Sequence, residues 1–398
     1  MEKEVLPLNE TYNPGIEKYR SVYRNSMENP ESFWSEHANV LDWYRKWDKV
    51  LDDSNKPFYR WFTGGKLNLS HNCLDRHISG PKRNQAAYIW IAEDGSEKMV
   101  TYEGLYRRVN SFARSLINLG IRKGDRVMIY LPMILEAPVA MLACARIGAV
   151  FSFVFAGFGA SALAGRINDS SASLVITADG AYRNGKIIEL KKVVDEALES
   201  TTTVSNVIVV KRTGMDVNMD EDRDMWWHSV VSDARGYVEP VPMDSNEPLF
   251  ILYTSGTTGK PKGVLHGSGG YGVWVANTLK WAFNPGESDR WWCAADIGWI
   301  TGHSYIVFAP LILGLTSIMY EGSITYPKAD RMWEIVEKYQ VNILYTSPTA
   351  IRSLMRYGDE NARSHDLSSL SCLGTVGEPV IRSAINYTNP YAGIYPSI

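Results

Sequence analysis

Cysteine is scarce. Only four occur in 398 residues, Cys73, Cys144, Cys293 and Cys372, and none forms a C-x-x-C pair. A thiolate zinc site and a disulfide scaffold are thereby excluded as organising principles, and the usage fits a reducing, cytoplasmic compartment. An excess of one charge is also lacking: 41 basic residues face 44 acidic ones, for a net charge of -3. This balance gives no general pull toward nucleic acid or an acidic membrane, so any anionic ligand must be held by local groups. The opening residues MEKEVLPLNE lack the apolar run of a secretory signal. Residues 297–320 carry no Asp, Glu, Lys or Arg, but they contain Gly298, Gly302, His303, Pro310 and Gly314. That is poor material for a spanning helix, so buried strand and helix are expected there, and no membrane partner.

What is present is ordinary globular material, 45% hydrophobic and 21% charged. The length suggests two or three domains, or one large α/β unit with additions. Residues 1–72 are rich in aromatics (Phe33, Trp34, Trp43, Trp47, Phe58, Trp61, Phe62) and read as a cap packed on the main body. From Ala86 the pattern alternates strand and helix. Strands are predicted at 86–91, 126–131, 149–155, 174–177, 206–210, 249–253, 341–345 and 370–375. Thr101 caps a helix that carries Leu105, Val109, Phe112 and Leu116 at helical spacing, and Gly148 follows another. A helix is predicted near 186–199, and a polar surface connection over 211–248. Alternation of this kind implies an α/β fold, with parallel or mixed sheets flanked by helices.

The most informative segment is LFILYTSGTTGKPKGVL, 249–265. An apolar strand feeds Thr254, Ser255, Gly256, Thr257, Thr258, Gly259 and Lys260, with Lys262 two residues on. Glycines let a backbone approach an anion closely, hydroxyls add donors and lysines add charge, a chemistry suited to a polyphosphate. A Walker A loop requires four residues between its first glycine and its Gly-Lys pair. Here only Thr257 and Thr258 intervene and Pro261 follows, so that template fails. A surface turn rich in Ser, Thr and Gly is the bland alternative.

TSGTTGKPKG resembles the phosphate loop of the adenylate-forming superfamily. The segments WWCAADIGWITGHSY (291–305), NILYTSPTAIR (342–352) and LGTVGEP (373–379) are similar to its acetyl-CoA synthetase branch, as is the aromatic cap. The resemblance covers residues 11–379 and implies the large N-terminal domain of that fold, with an AMP-binding domain over 73–379. It implies activation of acetate with MgATP to acetyl-AMP and pyrophosphate, then transfer of the acetyl group to CoA with release of AMP. Thr254 to Lys262 would hold the β- and γ-phosphates, and Gly377, Glu378 and Pro379 the adenosine. Trp299, Ile300, Thr301 and Val376 would line the acyl pocket. Arg183, Asn184, Gly185 and Lys186, with Thr301 and Thr325, would contact CoA, and His303 would stand near the phosphates. Taken alone, Trp299 and Ile300 would read as core, and 183–186 as a solvated turn.

After Pro379 the family pattern does not continue. The tail 380–398 is divergent, and no ribose-binding aspartate, metal-site residue or small C-terminal domain with its catalytic lysine follows. The chain is therefore expected to be truncated and impaired, with no catalytic residue assignable within it and its Mg2+ ligands missing. Two alternatives stand beside the acetate reading: a propionyl or other acyl-CoA ligase, and a non-catalytic fragment that binds nucleotide or CoA.

Overall fold

Two seven-stranded sheets organise the described residues. The computed structural model describes residues 16–232, 236–254 and 261–379, together with Ala384, Tyr387 and residues 393–394. In the first sheet the strands run in the order Asp224–Trp226, Asn206–Val210, Leu174–Ala178, Arg126–Tyr130, Val150–Phe153, Pro248–Thr254 and Lys262–Gly267. All neighbours are parallel except the last pair, an antiparallel hairpin. The second sheet runs Gly393–Ile394, Cys372–Thr375, Ile343–Thr346, Arg290–Cys293, Thr316–Glu321, Ala86–Ala92 and Glu97–Thr101, again antiparallel only at its final pair.

The helices form where the sequence places caps and breaks. Thr101 Oγ1 accepts from the Gly104 N–H at 3.1 Å, opening the helix Tyr102–Asn118. The helix Glu136–Ile147 is mostly apolar and almost wholly buried, its Arg146 paired with Asp75, and it stops at Gly148, whose φ is +76°. The segment 297–320 folds as expected into short helical turns, Ile300–Gly302, His303–Phe308 and Ala309–Leu313, followed by the strand Thr316–Glu321. It joins the sheets: Phe250 of the first sheet lies 4.9 Å from the His303 ring, and Tyr88 of the second donates from Oη to Ile306 O at 3.0 Å. The aromatic cap also packs inward, with Trp34 against Trp61, Trp274 and Trp281. All four cysteines are free and buried. Among the described residues no helix is long and apolar enough to cross a membrane.

Two expectations are corrected. The helix near 186–199 begins only at Leu190, because Lys186–Ile188 pairs antiparallel with Ala181–Arg183. The turn between them, Asn184 and Gly185, has φ of +51° and +70°. That left-handed pair suits a two-residue hairpin and stops a helix from starting. The polar connection 211–248 is more than surface chain, since Asp224–Trp226 forms the edge strand of the first sheet. Asp224 is held there by Lys191 Nζ at 2.8 Å and Arg223 Nε at 2.7 Å.

Candidate active site between the sheets

A cleft opens where the carboxyl ends of strands from both sheets meet, the usual ligand position in open α/β sheets. Pro132, Met133, Phe155, Ala156 and the hairpin residues Ala181, Tyr182 and Arg183 line it from the first sheet. Asp296, Glu321 and Gly322 line it from the second.

Trp299 and Ile300 follow the strand Arg290–Cys293 and remain 50% and 41% exposed, which rules out the plain core role that isolated residues would suggest. Trp299 leans on Phe155 at 5.9 Å and Phe158 at 6.2 Å. Gly298 makes this close approach possible, and Gly302 the tight turn after Asp296. A Cβ on Gly298 would stand 2.7 Å from Phe155 Cα, and one on Gly302 would stand 2.2 Å from Asp296 O. Thr301 is partly buried just beyond. Val376, half-buried, donates from its N–H to Thr346 O at 3.0 Å at the end of the strand Cys372–Thr375.

Asp296 accepts from the Gly298 N–H at 2.8 Å. Desolvation pushes its carboxyl up to about 6, against the Gly298 hydrogen bond and the positive charge of Arg183. Arg183 is exposed, with its guanidinium 5.6 Å from the Phe155 ring. Asn184, Gly185 and Lys186 complete the exposed hairpin tip. Thr325 lies in the loop after the strand Thr316–Glu321, its hydroxyl 3.1 Å from that of Ser323.

The phosphate-loop strand Pro248–Thr254 pairs with Lys262–Gly267, and Thr254 stands opposite Lys262. Both residues are exposed. Ser255, Gly256, Thr257, Thr258, Gly259 and Lys260 lie outside the described residues. Gly377 has φ +94°, and Pro379 is exposed. The Glu378 carboxylate accepts from the Thr349 N–H at 3.0 Å and is bound also by Thr349 Oγ1 and Arg352. Its charge is thus spent on the start of the helix Pro348–Met355, which leaves the backbone of 377–379 as the part open to a ligand.

His303 does not stand open to a phosphate. It is wholly buried among Phe151, Phe153 and Phe250, and burial pushes its imidazole down to about 4.

Sequence reasoning missed a polar set that ties the cleft walls together. Arg212 Nε donates to Glu321 Oε2 at 2.8 Å and Oε1 at 3.0 Å, and its guanidinium lies between the Tyr182 and Trp90 rings at 4.6 and 5.3 Å. Burial pushes the Glu321 carboxyl up to about 7, against the pull of Arg212. Buried Asp179 collects the N–H groups of Arg212, Thr213 and Gly214 at 2.7–2.9 Å, fixing the loop that presents Arg212. No local pattern marks these residues, because their partners lie about 30 to 110 positions away.

The family model described as AMP-binding enzyme matches residues 74–392, and that of the acetyl-coenzyme A synthetase N-terminus matches residues 19–73. The chain belongs to the AMP-binding enzyme family. Acetyl-coenzyme A synthetases from Pyrobaculum aerophilum and Leptospira biflexa are 52% and 53% identical to it, over 93% and 92% of its residues. It spans 57% of the length of each. Among solved structures, an acetoacetyl-CoA synthetase from Streptomyces lividans superposes with a TM-score of 0.86 at 28% identity, covering 95% of this chain and 58% of that one.

Proposed function

We propose that this chain is the larger, adenylate-forming part of an AMP-forming acetate–CoA ligase. In the first half-reaction an acetate oxygen attacks the α-phosphorus of ATP, the bond to the β-phosphate bridge breaks, and pyrophosphate leaves. In the second the CoA sulfur attacks the acyl carbon and AMP leaves. Bringing acetate to a triphosphate sets two anions together, so the site must supply positive charge and N–H donors. In this reading Thr254, Lys262 and the intervening 255–260 hold the β- and γ-phosphates, and the backbone of 377–379 meets the adenosine. Trp299, Ile300, Thr301 and Val376 close around a short acyl group, while Arg183–Lys186 and Thr325 take CoA. Residues 1–72 serve as a cap and the AMP-binding domain runs from 73 past 379, since the family model reaches residue 392 and Gly393–Ile394 pairs with Cys372–Thr375, in a cytoplasmic protein.

The observation that carries the reading is that half-exposed Trp299 and the Arg183 guanidinium both pack on the ring of Phe155, which lines the cleft. An apolar wall for a small acyl group and a cation for CoA need such proximity. Among the described residues no three acidic, His or Cys groups converge on a metal position. In this reading Mg2+ would enter with the ATP phosphates and neutralise part of their charge.

Acetate-dependent exchange of labelled pyrophosphate into ATP tests the first half, and calorimetric binding of CoA tests the second. A chain with neither exchange nor CoA binding would overturn the reading. A larger short-chain acid is the second reading, favoured by the likeness to an acetoacetyl-CoA synthetase. Exchange supported by propionate or acetoacetate but not by acetate would select it, since one methylene is worth only about 1–3 kcal/mol of discrimination.

A further inference from the structure

Glu93 closes the strand Ala86–Ala92 and is 7% exposed. Its carboxylate accepts three backbone N–H groups: Asn184 at 2.8 Å and Ser323 at 3.1 Å on Oε1, and Gly185 at 2.9 Å on Oε2. The donors come from two segments more than a hundred residues apart, the hairpin tip at 184–185 and the loop that carries Thr325. These segments also press together directly, because a Cβ on Gly185 would stand 2.4 Å from Tyr326 Oη. A buried carboxylate with every nearby donor drawn from the backbone has no evident task except to hold those backbones.

We infer that Glu93 is a positioning residue for the CoA site, a built-in anion that locks the hairpin tip to the Thr325 loop. The inference rests on the CoA reading of Arg183–Lys186 and Thr325. Two successive N–H groups in a left-handed turn form a donor pair that takes an anion. With Glu93 seated there, a ligand phosphate is left to the side chains of Arg183 and Lys186. Their separation from Thr325 is then set by the carboxylate that bridges the two backbones.

The test is calorimetry on the 398-residue chain with CoA, dephospho-CoA and ATP, for wild type, Glu93→Ala and Glu93→Gln, with circular dichroism to confirm folding. Loss of charge-assisted hydrogen bonds predicts about a ten-fold or greater weakening of CoA binding in Glu93→Ala. Its preference for CoA over dephospho-CoA should shrink toward one, while ATP affinity stays unchanged. Glu93→Gln keeps one carbonyl acceptor and should fall between. If Glu93→Ala does not fold, Glu93→Gln is judged by the same criteria. A folded variant with wild-type CoA affinity and preference, whatever its melting temperature, overturns the inference and leaves the CoA reading standing. Wild type that binds ATP but shows no affinity for CoA overturns the CoA reading, and this inference with it.

Discussion

Asp296 carries its charge in the cleft at a cost. Its carboxyl is raised to about 6 by desolvation, so the folded state prefers it protonated. The sign follows: its contribution to stability is fully present below the ordinary carboxylate range and is lost as pH rises through about 6. Asp296→Asn keeps an oxygen for the Gly298 N–H and removes the titration. The variant should gain about 1–3 kcal/mol on wild type between pH 4 and pH 7, then hold that margin. Melting curves across this range check it, and a difference that does not vary with pH would show an ordinary carboxylate. Arg183→Ala should weaken CoA binding by about ten-fold and dephospho-CoA binding little, since the guanidinium would face the 3′-phosphate. Equal losses would remove Arg183 from that role.

At the scale of elements, much of the fold was legible. Thr101 and Gly148 announced the ends of their helices because capping is local chemistry, written within three or four residues. Thr101→Ala should cost about 1 kcal/mol in denaturant unfolding. The turn at Asn184-Gly185 is legible, because Asn-Gly is a strong turn signal, but the strand that follows it at Lys186–Ile188 is not. The apolar spacing of the helix Leu190–Leu198 drew that helix backward over 186–188, which belongs to a strand only because Ala181–Arg183 lies beside it. The edge strand Asp224–Trp226 was hidden for a similar reason: its polar residues become acceptable when Lys191 and Arg223 neutralise Asp224. Gly185→Ala tests the turn. A side chain there meets both an unfavourable φ of +70° and the Tyr326 ring, so a loss of about 1–3 kcal/mol is expected, with CoA binding weakened in parallel. Full stability in that variant would mean that the tip relaxes without cost.

Across the described residues, the two sheets are joined by apolar packing and by polar links, among them the pair Arg212 with Glu321 at the cleft mouth. Removing one partner leaves a buried charge alone, so Arg212→Ala should cost about 3–5 kcal/mol. Replacing both by Met should recover most of that loss in urea unfolding. No recovery would show that the bridge itself, and not the stranded carboxylate, stabilises the pairing of the sheets. This level was the least legible in sequence. A glycine-rich phosphate loop declares itself in ten consecutive residues, whereas Glu93, Asp179 and Glu321 become meaningful only when the fold supplies their donors from distant positions.

The scarcity of cysteine has a practical counterpart. All four thiols are buried, and burial pushes Cys293 up to about 12 and Cys372 up to about 11, so neither is a ready thiolate at neutral pH. A thiol reagent can therefore modify them only when the surrounding structure opens. Their locations differ: Cys73 abuts Phe308, Cys144 sits in the buried helix Glu136–Ile147, and Cys293 and Cys372 lie in strands of the second sheet. The molecule thus contains four clocks on its own local breathing. Cys372, the most accessible at 5%, should run fastest, and mass spectrometry of timed labelling would rank the four regions by how often each exposes its interior.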